Sequence, residues 1–228
     1  MDKKGILIGE NVKMYGPITI GTNVIIEDDV IIGHPSPQEL NNPLFNSLLD
    51  YDSLDILYRE KTVNATIIGD NSIIRSGSVI YSGCVIGNHF DCGHNVIIRE
   101  KVMIGEYVYI KPFAYLMTNV KIGNRCRLAG SIADYTVIGN NVSSFGVLTH
   151  RRLRRHNDFQ SDPTKVPEDT QGPIVEDDCI IGRDAIIVGK VRIGKNSIVG
   201  ANTFVNFDVP PNSKILGVKG KQWMEDTN

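Results

Sequence analysis

Residues 68–98 read IGDNSIIRSGSVIYSGCVIGNHFDCGHNVII, and an apolar side chain returns at every sixth position of this stretch. The same period runs without a slip over eleven positions in the middle of the chain. They are Ile68, Ile74, Ile80, Ile86, Cys92, Ile98, Ile104, Ile110, Leu116, Ile122 and Leu128. A second restricted position follows four residues after each of these, where side chains such as Ser72, Cys84 and Val96 stand. Both positions are predicted to point into a core.

A period of six fits neither an amphipathic helix, which repeats every 3.6 residues, nor a strand with simple alternation. It fits short strands joined by corners, with three strands in each turn of the chain. Stacked turns of this kind form a triangular prism in which each turn depends on its neighbours for a buried core. The period is also present from Ile8 to Ile32 and from Val175 to Val205. The sequence therefore predicts an all-β prism along most of its length.

The four cysteines, Cys84, Cys92, Cys126 and Cys179, all fall on predicted inward positions. They lack the CxxC spacing of a zinc site. We therefore interpret them as small core side chains and not as metal ligands or nucleophiles.

Three interruptions divide the prism. The first excursion covers residues 35–61, where Pro43 limits the length of any one helix. The second excursion covers residues 150–172 and is polar and rich in charge. Between them the spacing falls to four from Leu128 to Ile132 before the period resumes at Ile138. Long excursions from a compact domain are usually functional or disordered, so both are candidates for substrate contacts.

The charge balance gives no reason to expect nucleic acid or an anionic membrane as a partner. Lys and Arg number 24 against 26 Asp and Glu, which leaves a net charge of −2. The chain lacks the long apolar run of a spanning helix, and its first residues lack the apolar run of a signal peptide. We expect a cytoplasmic protein.

One outward column of the predicted prism is mostly apolar. Residues 18 apart should lie on the same face, which places Val79, Ile97 and Tyr115 in one column. Their neighbours beyond the inward positions are Tyr81, Arg99 and Met117. Such a patch predicts burial against a second copy of the chain. Scattered apolar residues on the surface remain the alternative.

The repeats IIGDNSIIRSGSVIYSGCVIGN at residues 67–88 and GHNVIIRE at residues 93–100 resemble those of the hexapeptide-repeat acyltransferases. Within that superfamily they most resemble the sugar N- and O-acetyltransferases, over residues 5–34 and 64–218. The resemblance implies a left-handed parallel β-helix at residues 1–218 with a C-terminal tail at 219–228. It also implies a homotrimer that binds acetyl-CoA in clefts between prisms, with no metal, a histidine base and a sugar or nucleotide-sugar acceptor.

Three histidines are candidates for the implied site. His94 follows the inward Cys92 by two residues, so it is expected at a prism corner beside the apolar column, where it would serve as the general base. A solvated corner histidine remains the alternative. His89, at the other end of the same short strand, is the second candidate base. His34 is expected at an equivalent corner two turns below His94, where it would orient the substrate or simply begin the first excursion.

A basic run within the second excursion is a candidate for gripping phosphates of CoA or of a nucleotide-linked sugar. Arg151 and Arg154 represent this run, which also reads as an ordinary solvated segment. In the related acyltransferases a loop at this position usually covers the active cleft, which favours the functional interpretation.

The final coils resemble the part of the family that binds CoA. The positions implied to contact CoA are Gly200 and Ala201, for close backbone approach, and the basic residues Arg183, Lys214 and Lys219. The chain departs from the family here, because the usual Gly-Asn-Pro-Ala ending reads GVKG at residues 217–220. This departure weakens the assignment of the phosphate contacts.

Two other functions remain open. A γ-type carbonic anhydrase shares this fold and uses three histidines, two of them five residues apart as His89 and His94 are. Its third histidine would fall on Ser53, and a series that begins at His34 would need a histidine where Arg99 stands. A non-catalytic trimeric β-helix scaffold is the second alternative, and binding of CoA separates it from the enzyme.

Overall fold

The computed structural model describes residues 5–40, 51–151 and 171–217. The chain forms a left-handed parallel β-helix whose three parallel sheets are the faces of a triangular prism, as predicted. We call the sheets faces A, B and C, in the order in which the chain first reaches them. The edges between them are the A–B, B–C and C–A edges.

The strands are short, and their bounds follow face by face. Face A contains β1 (Leu7–Ile8), β4 (Ile25–Ile26), β7 (Ile73–Ile74), β10 (Asp91–Cys92), β13 (Tyr109–Ile110), β16 (Arg127–Leu128), β19 (Ser143–Ser144), β22 (Ile180–Ile181), β25 (Ile198–Val199) and β27 (Lys214–Ile215). Face B contains β2 (Lys13–Met14), β5 (Ile31–His34), β8 (Val79–Tyr81), β11 (Ile97–Ile98), β14 (Tyr115–Leu116), β17 (Ser131–Ile132), β20 (Val147–Thr149), β23 (Ile186–Val188) and β26 (Phe204–Val205). Face C contains β3 (Ile18–Ile20), β6 (Thr66–Ile68), β9 (Val85–Ile86), β12 (Met103–Ile104), β15 (Lys121–Ile122), β18 (Val137–Ile138), β21 (Ile174–Val175) and β24 (Arg192–Ile193).

Each turn of the prism is a coil, which we number by its strand on face A, so that coil 1 begins at β1 and coil 4 at β10. Strands of neighbouring coils pair in parallel, and in the regular coils the paired residues are 18 apart in the sequence, for example Asp91 and Tyr109. The spacing between paired strands is about 4.8 Å, so the coil number measures height along the prism axis.

The inward positions form one continuous core. The period-six residues from Ile26 to Val205 are almost completely buried, and so are the four cysteines, as predicted, whereas Ile8 in the first coil is 54% exposed. Burial raises the pKa of the Cys84 thiol to about 12 and that of the Cys92 thiol to about 11. Each fully buried aliphatic side chain contributes roughly 1.5–3 kcal/mol, so the stack of Ile and Val residues is the main source of stability.

The corners depend on residues that accept a left-handed backbone. Asn71, Asn95 and Asn141 have φ between 56° and 58°, a region that Asn reaches at little cost because its short side chain bonds locally. Side-chain amides also tie successive corners together at the C–A edge, where Asn88 Oδ1 accepts from the Asp70 N–H at 2.8 Å. These ladders fix the coils in register.

Both excursions leave the prism from the B–C edge. The first departs after β5 in coil 2 and returns at β6, and it contains helix α1 (Tyr51–Lys61). The second departs after β20 in coil 7 and returns at β21. The B–C corners of coils 3 to 6 therefore lie between the two departure points. Residues 41–50 of the first excursion and 152–170 of the second lie outside the described residues.

The slip in the period is a shortened A–B corner, and it occurs twice in succession. In coil 6 the inward residues Leu128 and Ile132 are four apart, and in coil 7 so are Ser144 and Leu148, whereas six is the usual spacing. The sequence revealed only the first of these because the second ends at the excursion. We call these two turns the cut corners.

Candidate active site

The structure distributes the predicted site residues over three edges of the prism. His94, Arg183, Gly200 and Ala201 lie along the A–B edge, His34 and Arg151 along the B–C edge, and His89 on the C–A edge, while Lys214 points outward from β27 on face A. Arg154 and Lys219 lie outside the described residues.

His94 is held at the tip of the A–B corner of coil 4. The preceding Gly93 has no room for a Cβ, because Pro112 of the next coil packs against it. The following Asn95 is left-handed, with φ 56°. The His94 side chain is 52% exposed, and its Nδ1 lies 3.7 Å from Glu27 Oε2. A substrate can therefore reach the imidazole while a carboxylate stands on its other side.

Glu27 reaches His94 from coil 2 across the corner of coil 3. Its Oε2 accepts from the Ser76 N–H at 3.1 Å and from the Ser76 hydroxyl at 3.0 Å, and Arg75 donates to Oε1 at 3.3 Å. Partial burial opposes ionisation, but these hydrogen bonds and the Arg75 charge keep the pKa of Glu27 below its usual value. The carboxylate is therefore charged at neutral pH.

His89 lies at the C–A corner of coil 4 and stacks on Tyr107 of the next coil, with ring centroids 4.3 Å apart and planes 10° apart. Strand β10 separates it from His94. Five extended residues span up to roughly 16 Å, so the two imidazoles of one chain are separate.

His34 does not lie beneath His94, contrary to its expected position. It occupies the B–C corner of coil 2, because the inward residue before it, Ile32, belongs to face B. The hexapeptide pattern is the same at every corner, so the sequence alone did not distinguish the edges. The His34 ring packs on Tyr58 at 5.1 Å and on Tyr81 at 4.7 Å. Burial lowers the pKa of His34 against the opposing hydrogen bond to the Pro35 carbonyl.

The B–C edge carries a polar column that the sequence analysis missed. The Glu100 side chain is buried, and it accepts from Arg99 Nε at 2.8 Å and from the Thr118 hydroxyl at 3.0 Å. The Arg99 guanidinium lies over the Tyr81 ring, 4.6 Å from its centroid. Burial opposes the charge of Arg99, but its hydrogen bonds with Glu100 raise its pKa above the usual value. The charged and hydroxyl groups of this column are therefore hydrogen-bonded to one another.

His150 continues this column at the root of the second excursion. Its side chain is only 7% exposed, and its Nδ1 lies 3.9 Å from Asp134 Oδ2. The other oxygen of Asp134 accepts from the Thr118 N–H at 3.0 Å, and its carbonyl accepts from the Gly172 N–H where the excursion returns. The exposed Arg151 follows directly. These contacts fasten both ends of the excursion to the prism.

Glu39 fastens the first excursion to the same edge. Its carboxylate accepts from the hydroxyls of Ser36 and Ser82, from the Asn64 side-chain amide at 2.7 Å and from the Val63 N–H at 3.2 Å. Burial alone would raise its pKa, but the hydrogen bonds from Ser82, Ser36 and Asn64 lower the pKa of Glu39 to about 2. The sequence offered no periodic signal for this residue, because it lies in the excursion.

The positions assigned to CoA lie above His94 on the same edge. Arg183 occupies the corner of coil 8 and Ala201 that of coil 9, and both are exposed. They are four and five coils from His94, which corresponds to roughly 19–24 Å. Gly182 allows close packing here, because a Cβ on it would meet the backbone of Ala201.

The predicted apolar column has the expected register on face B, where Val79 pairs with Ile97 and Ile97 with Tyr115. Ile97 is 38% exposed. Face C carries a second exposed apolar run, formed by Ile67, Val85 and Met103, of which Met103 is 49% exposed. Apolar side chains are therefore exposed on face B and on face C.

A shallow groove of about 290 Å³ opens on face C. It is lined by Val137, Ile174, Glu176, Asp177 and Lys195, among others. Two carboxylates against one ammonium make this groove a poor place for a phosphate group.

Two further properties concern residues 5–40, 51–151 and 171–217. None of their helices has the length and apolar character needed to cross a bilayer. Nor do these residues bring together three or more His, Cys, Asp or Glu side chains in an arrangement suited to a metal ion.

Part of the repeat region matches a known family model. The family model described as bacterial transferase hexapeptide, six repeats, matches residues 172–206. The match confirms the hexapeptide repeat within these residues.

Curated relatives of this hexapeptide-repeat protein match over part of its length. The bifunctional protein GlmU of Geobacter metallireducens is 33% identical over 113 residues, which are 43% of this chain and 21% of the relative. The 2,3,4,5-tetrahydropyridine-2,6-dicarboxylate N-acetyltransferase of Staphylococcus aureus is 40% identical over 55 residues, 24% of this chain and 23% of the relative. The chain thus spans about a fifth to a quarter of the length of these relatives.

Solved structures of similar chains include two enzymes that act on nucleotide sugars by name. UDP-N-acetylglucosamine O-acyltransferase from Moraxella catarrhalis is 18% identical with a TM-score of 0.43, over 90% of this chain and 71% of that one. GDP-perosamine N-acetyl transferase from Caulobacter crescentus, in complex with CoA and GDP-perosamine, is 16% identical with a TM-score of 0.31, over 87% and 79%.

Proposed function

We propose that this hexapeptide-repeat protein transfers an acyl group, of which acetyl is the simplest, from a coenzyme A thioester to a sugar-like acceptor. The acceptor supplies an amine or a hydroxyl and is linked to a nucleotide. The proposal rests on one observation: an accessible histidine, His94, lies beside the ionised Glu27 on an edge of the prism. Residues 172–206 of the same chain match the bacterial transferase hexapeptide family model. The names of the curated relatives, one of them an N-acetyltransferase, support the reaction class.

His94 is the proposed general base. The acceptor nitrogen or oxygen attacks the thioester carbonyl carbon while the imidazole takes its proton, which forms the new C–N or C–O bond. The C–S bond then breaks, and the CoA thiolate leaves and recovers the proton from the imidazolium. Glu27 stabilises the transient imidazolium and holds the ring in place, as the third member of a nucleophile–base–orienter arrangement does.

The acyl donor is proposed to lie along the A–B edge. Its thioester would lie at His94, and its nucleotide would extend toward Arg183, Gly200, Ala201 and Lys214 in the last coils. Arg151 and His34, on the B–C edge, would contact a substrate bound to the neighbouring subunit of a homotrimer. This arrangement follows the family resemblance and uses the exposure of Arg183 and Ala201 for its support.

The proposal is tested by thiol release from acetyl-CoA, measured with the purified protein across nucleotide-linked amino sugars, simple sugars and amines. Acceptor-dependent release with one class of acceptor is the expected result, and it would identify the acceptor. No release across the panel, together with no CoA binding by calorimetry, would contradict the proposal and favour a scaffold.

The homotrimer is tested by two matched substitutions on the two apolar faces. Ile97→Asp changes face B and Met103→Asp changes face C, each at an exposed position where the monomer fold tolerates a charge. We expect Ile97→Asp to reduce the mass measured by light scattering from three chains toward one. A trimer that survives Ile97→Asp but dissociates with Met103→Asp would place the interface on face C.

A further inference from the structure

The cut corners indicate a recess in the A–B edge. Coils 6 and 7 each close this corner with two residues fewer than the other coils, and a shorter connection projects less far from the prism. Gly130 makes the first of these turns with φ 81°, and a Cβ on the buried Gly146 would collide with the Ala185 carbonyl. The recess spans two coils, roughly 10 Å along the axis. Phe113, which is 75% exposed, lies below it, and Arg183 lies above it.

Cations and aromatic rings alternate beside the recess, along face A and its A–B edge. Lys111 Nζ lies 4.9 Å from the centroid of the Tyr109 ring, and Arg127 Cζ lies 5.6 Å from the same centroid. Arg127 Cζ also lies 6.0 Å from the centroid of Phe145, which stands at the second cut corner. The rings therefore fix the position of the guanidinium without using its N–H donors. We call these four side chains the cation–ring cluster.

The cluster differs in its charge balance from the basic groups that are paired with carboxylates. Arg75 is paired with Glu27 and Asp91, and Arg192 with Glu176. Within residues 5–40, 51–151 and 171–217, neither Lys111 nor Arg127 forms an ion pair with a carboxylate. Asp184 is the acidic side chain at the upper corner of the recess, and it pairs with neither of these cations.

We propose that the recess and the cation–ring cluster bind the phosphate groups of a nucleotide. Arg127 and Lys111 would donate to the phosphate oxygens, Arg183 would close the site from above, and the exposed Phe113 would stack on the base. The inference rests on the proposed function for its ligand, because both the acyl donor and a nucleotide-linked acceptor carry such groups. The recess lies on the same edge as His94, two to three coils above it.

The test is calorimetric titration of the full chain with two probes, adenosine 3′,5′-bisphosphate for the donor and uridine 5′-diphosphate for the acceptor. At least one probe is expected to bind, and the one that binds identifies the source of the phosphates. Arg127→Ala should weaken that binding about tenfold or more, because charge-assisted hydrogen bonds are lost. Lys121→Ala, which removes an exposed cation from face C, is the matched control and should leave affinity unchanged.

A second pair of variants tests the rings. Tyr109→Phe keeps the surface on which Arg127 rests and should bind like the wild type, whereas Tyr109→Leu should weaken binding in the same direction as Arg127→Ala. Equal losses in Arg127→Ala and Lys121→Ala would show general screening of charge and would overturn the site, as would the absence of binding by both probes.

The two proposals fail separately. Acceptor-dependent thiol release with an unchanged response of Arg127→Ala to both probes would retain the acyltransferase and reject the recess. Probe binding that depends on Arg127, in a protein that releases no thiol with any acceptor, would retain the recess and reject the acyltransferase.

Discussion

The A–B and B–C edges of the prism are built from the same repeat but have opposite characters. On the B–C edge Arg99 is paired with Glu100 and the His150 side chain is buried, while Arg151 is exposed. On the A–B edge His94 is half exposed, and Lys111 at this edge and Arg127 on the adjoining face A rest on rings without a carboxylate partner in the described parts of the chain. Several polar groups of the B–C edge hold the excursions in place, whereas His94 on the A–B edge is accessible to a ligand.

The comparison shows why the presence of a histidine at a hexapeptide corner is a weak indicator of function. His34, His94 and His150 occupy similar corner positions, yet only His94 combines exposure with a carboxylate that other groups already hold in place. The environment of each corner, and not the repeat, determines whether a base is accessible there.

The largest expected effect is on turnover. His94→Ala should reduce kcat about 10²- to 10⁴-fold, because a general base contributes that much. The measurement is thiol release under saturating acyl-CoA. His89→Ala is the control at the other end of β10, and it should retain the native rate. A loss below about tenfold for His94→Ala would remove His94 from the role of base.

The next effect concerns the first excursion. Glu39→Gln should destabilise its attachment by about 1.5–3 kcal/mol, because hydrogen bonds to a charged acceptor are weakened. Hydrogen exchange at the amides of Val63 and Asn64, both of which donate to Glu39, measures this loss.

The lowered pKa of Glu39 predicts that the protection of these two amides depends on pH. The folded-state pKa of Glu39 is lowered to about 2 from 4.5, so its contribution is complete above pH 4.5 and is lost as the pH falls toward 2. Protection of the two amides should decline through that window in the wild type and show a smaller decline in Glu39→Gln. Identical profiles would contradict the role of Glu39.

A smaller effect distinguishes the cut corners from an ordinary corner. Gly130 and Gly83 both have positive φ, of 81° and 73°, but a Cβ on Gly130 would lie 2.7 Å from the Gly146 oxygen, whereas the nearest atoms to one on Gly83 are at 3.3 Å. Gly130→Asn should therefore cost about 1–3 kcal/mol in urea unfolding, from overpacking. Gly83→Asn should change stability by about 0.5 kcal/mol or less. Equal losses in the free energy of unfolding would show that the cut corners accommodate a side chain at position 130 without overpacking.

The smallest expected effect is on the B–C edge. His150→Asn should change kcat less than about threefold, since its side chain is buried and so does not reach a substrate. A loss of kcat comparable with that of His94→Ala would contradict this difference between the edges and indicate that the catalytic base lies on the B–C edge.

Much of the architecture was predictable because each inward position repeats a local rule. The uninterrupted series from Ile68 to Leu128 required three strands per turn, and the inward cysteines followed from it. The departure points of the excursions were also visible. The edge from which they leave was not identified, and His34 was placed on the wrong edge, because every corner has the same sequence signature.

The candidate site was predicted only in part. His94 was identifiable because it follows the inward Cys92 by two residues, which places it at a corner. Glu27 was not, since 67 residues and the whole first excursion separate it from His94 in the chain. The cation–ring cluster was missed for a similar reason, because it joins side chains of three coils that come together only when the coils stack.

The sequence by itself determined the prism, because a core that repeats every six residues leaves the backbone no other way to bury its Ile and Val side chains. The tertiary structure alone decided which edge each corner occupies, which cations find carboxylates and which remain on rings. Many of those properties depend on contacts between residues 16 or more apart, such as Arg75 with Asp91 and Arg127 with Phe145, and such contacts exist only once the coils have stacked.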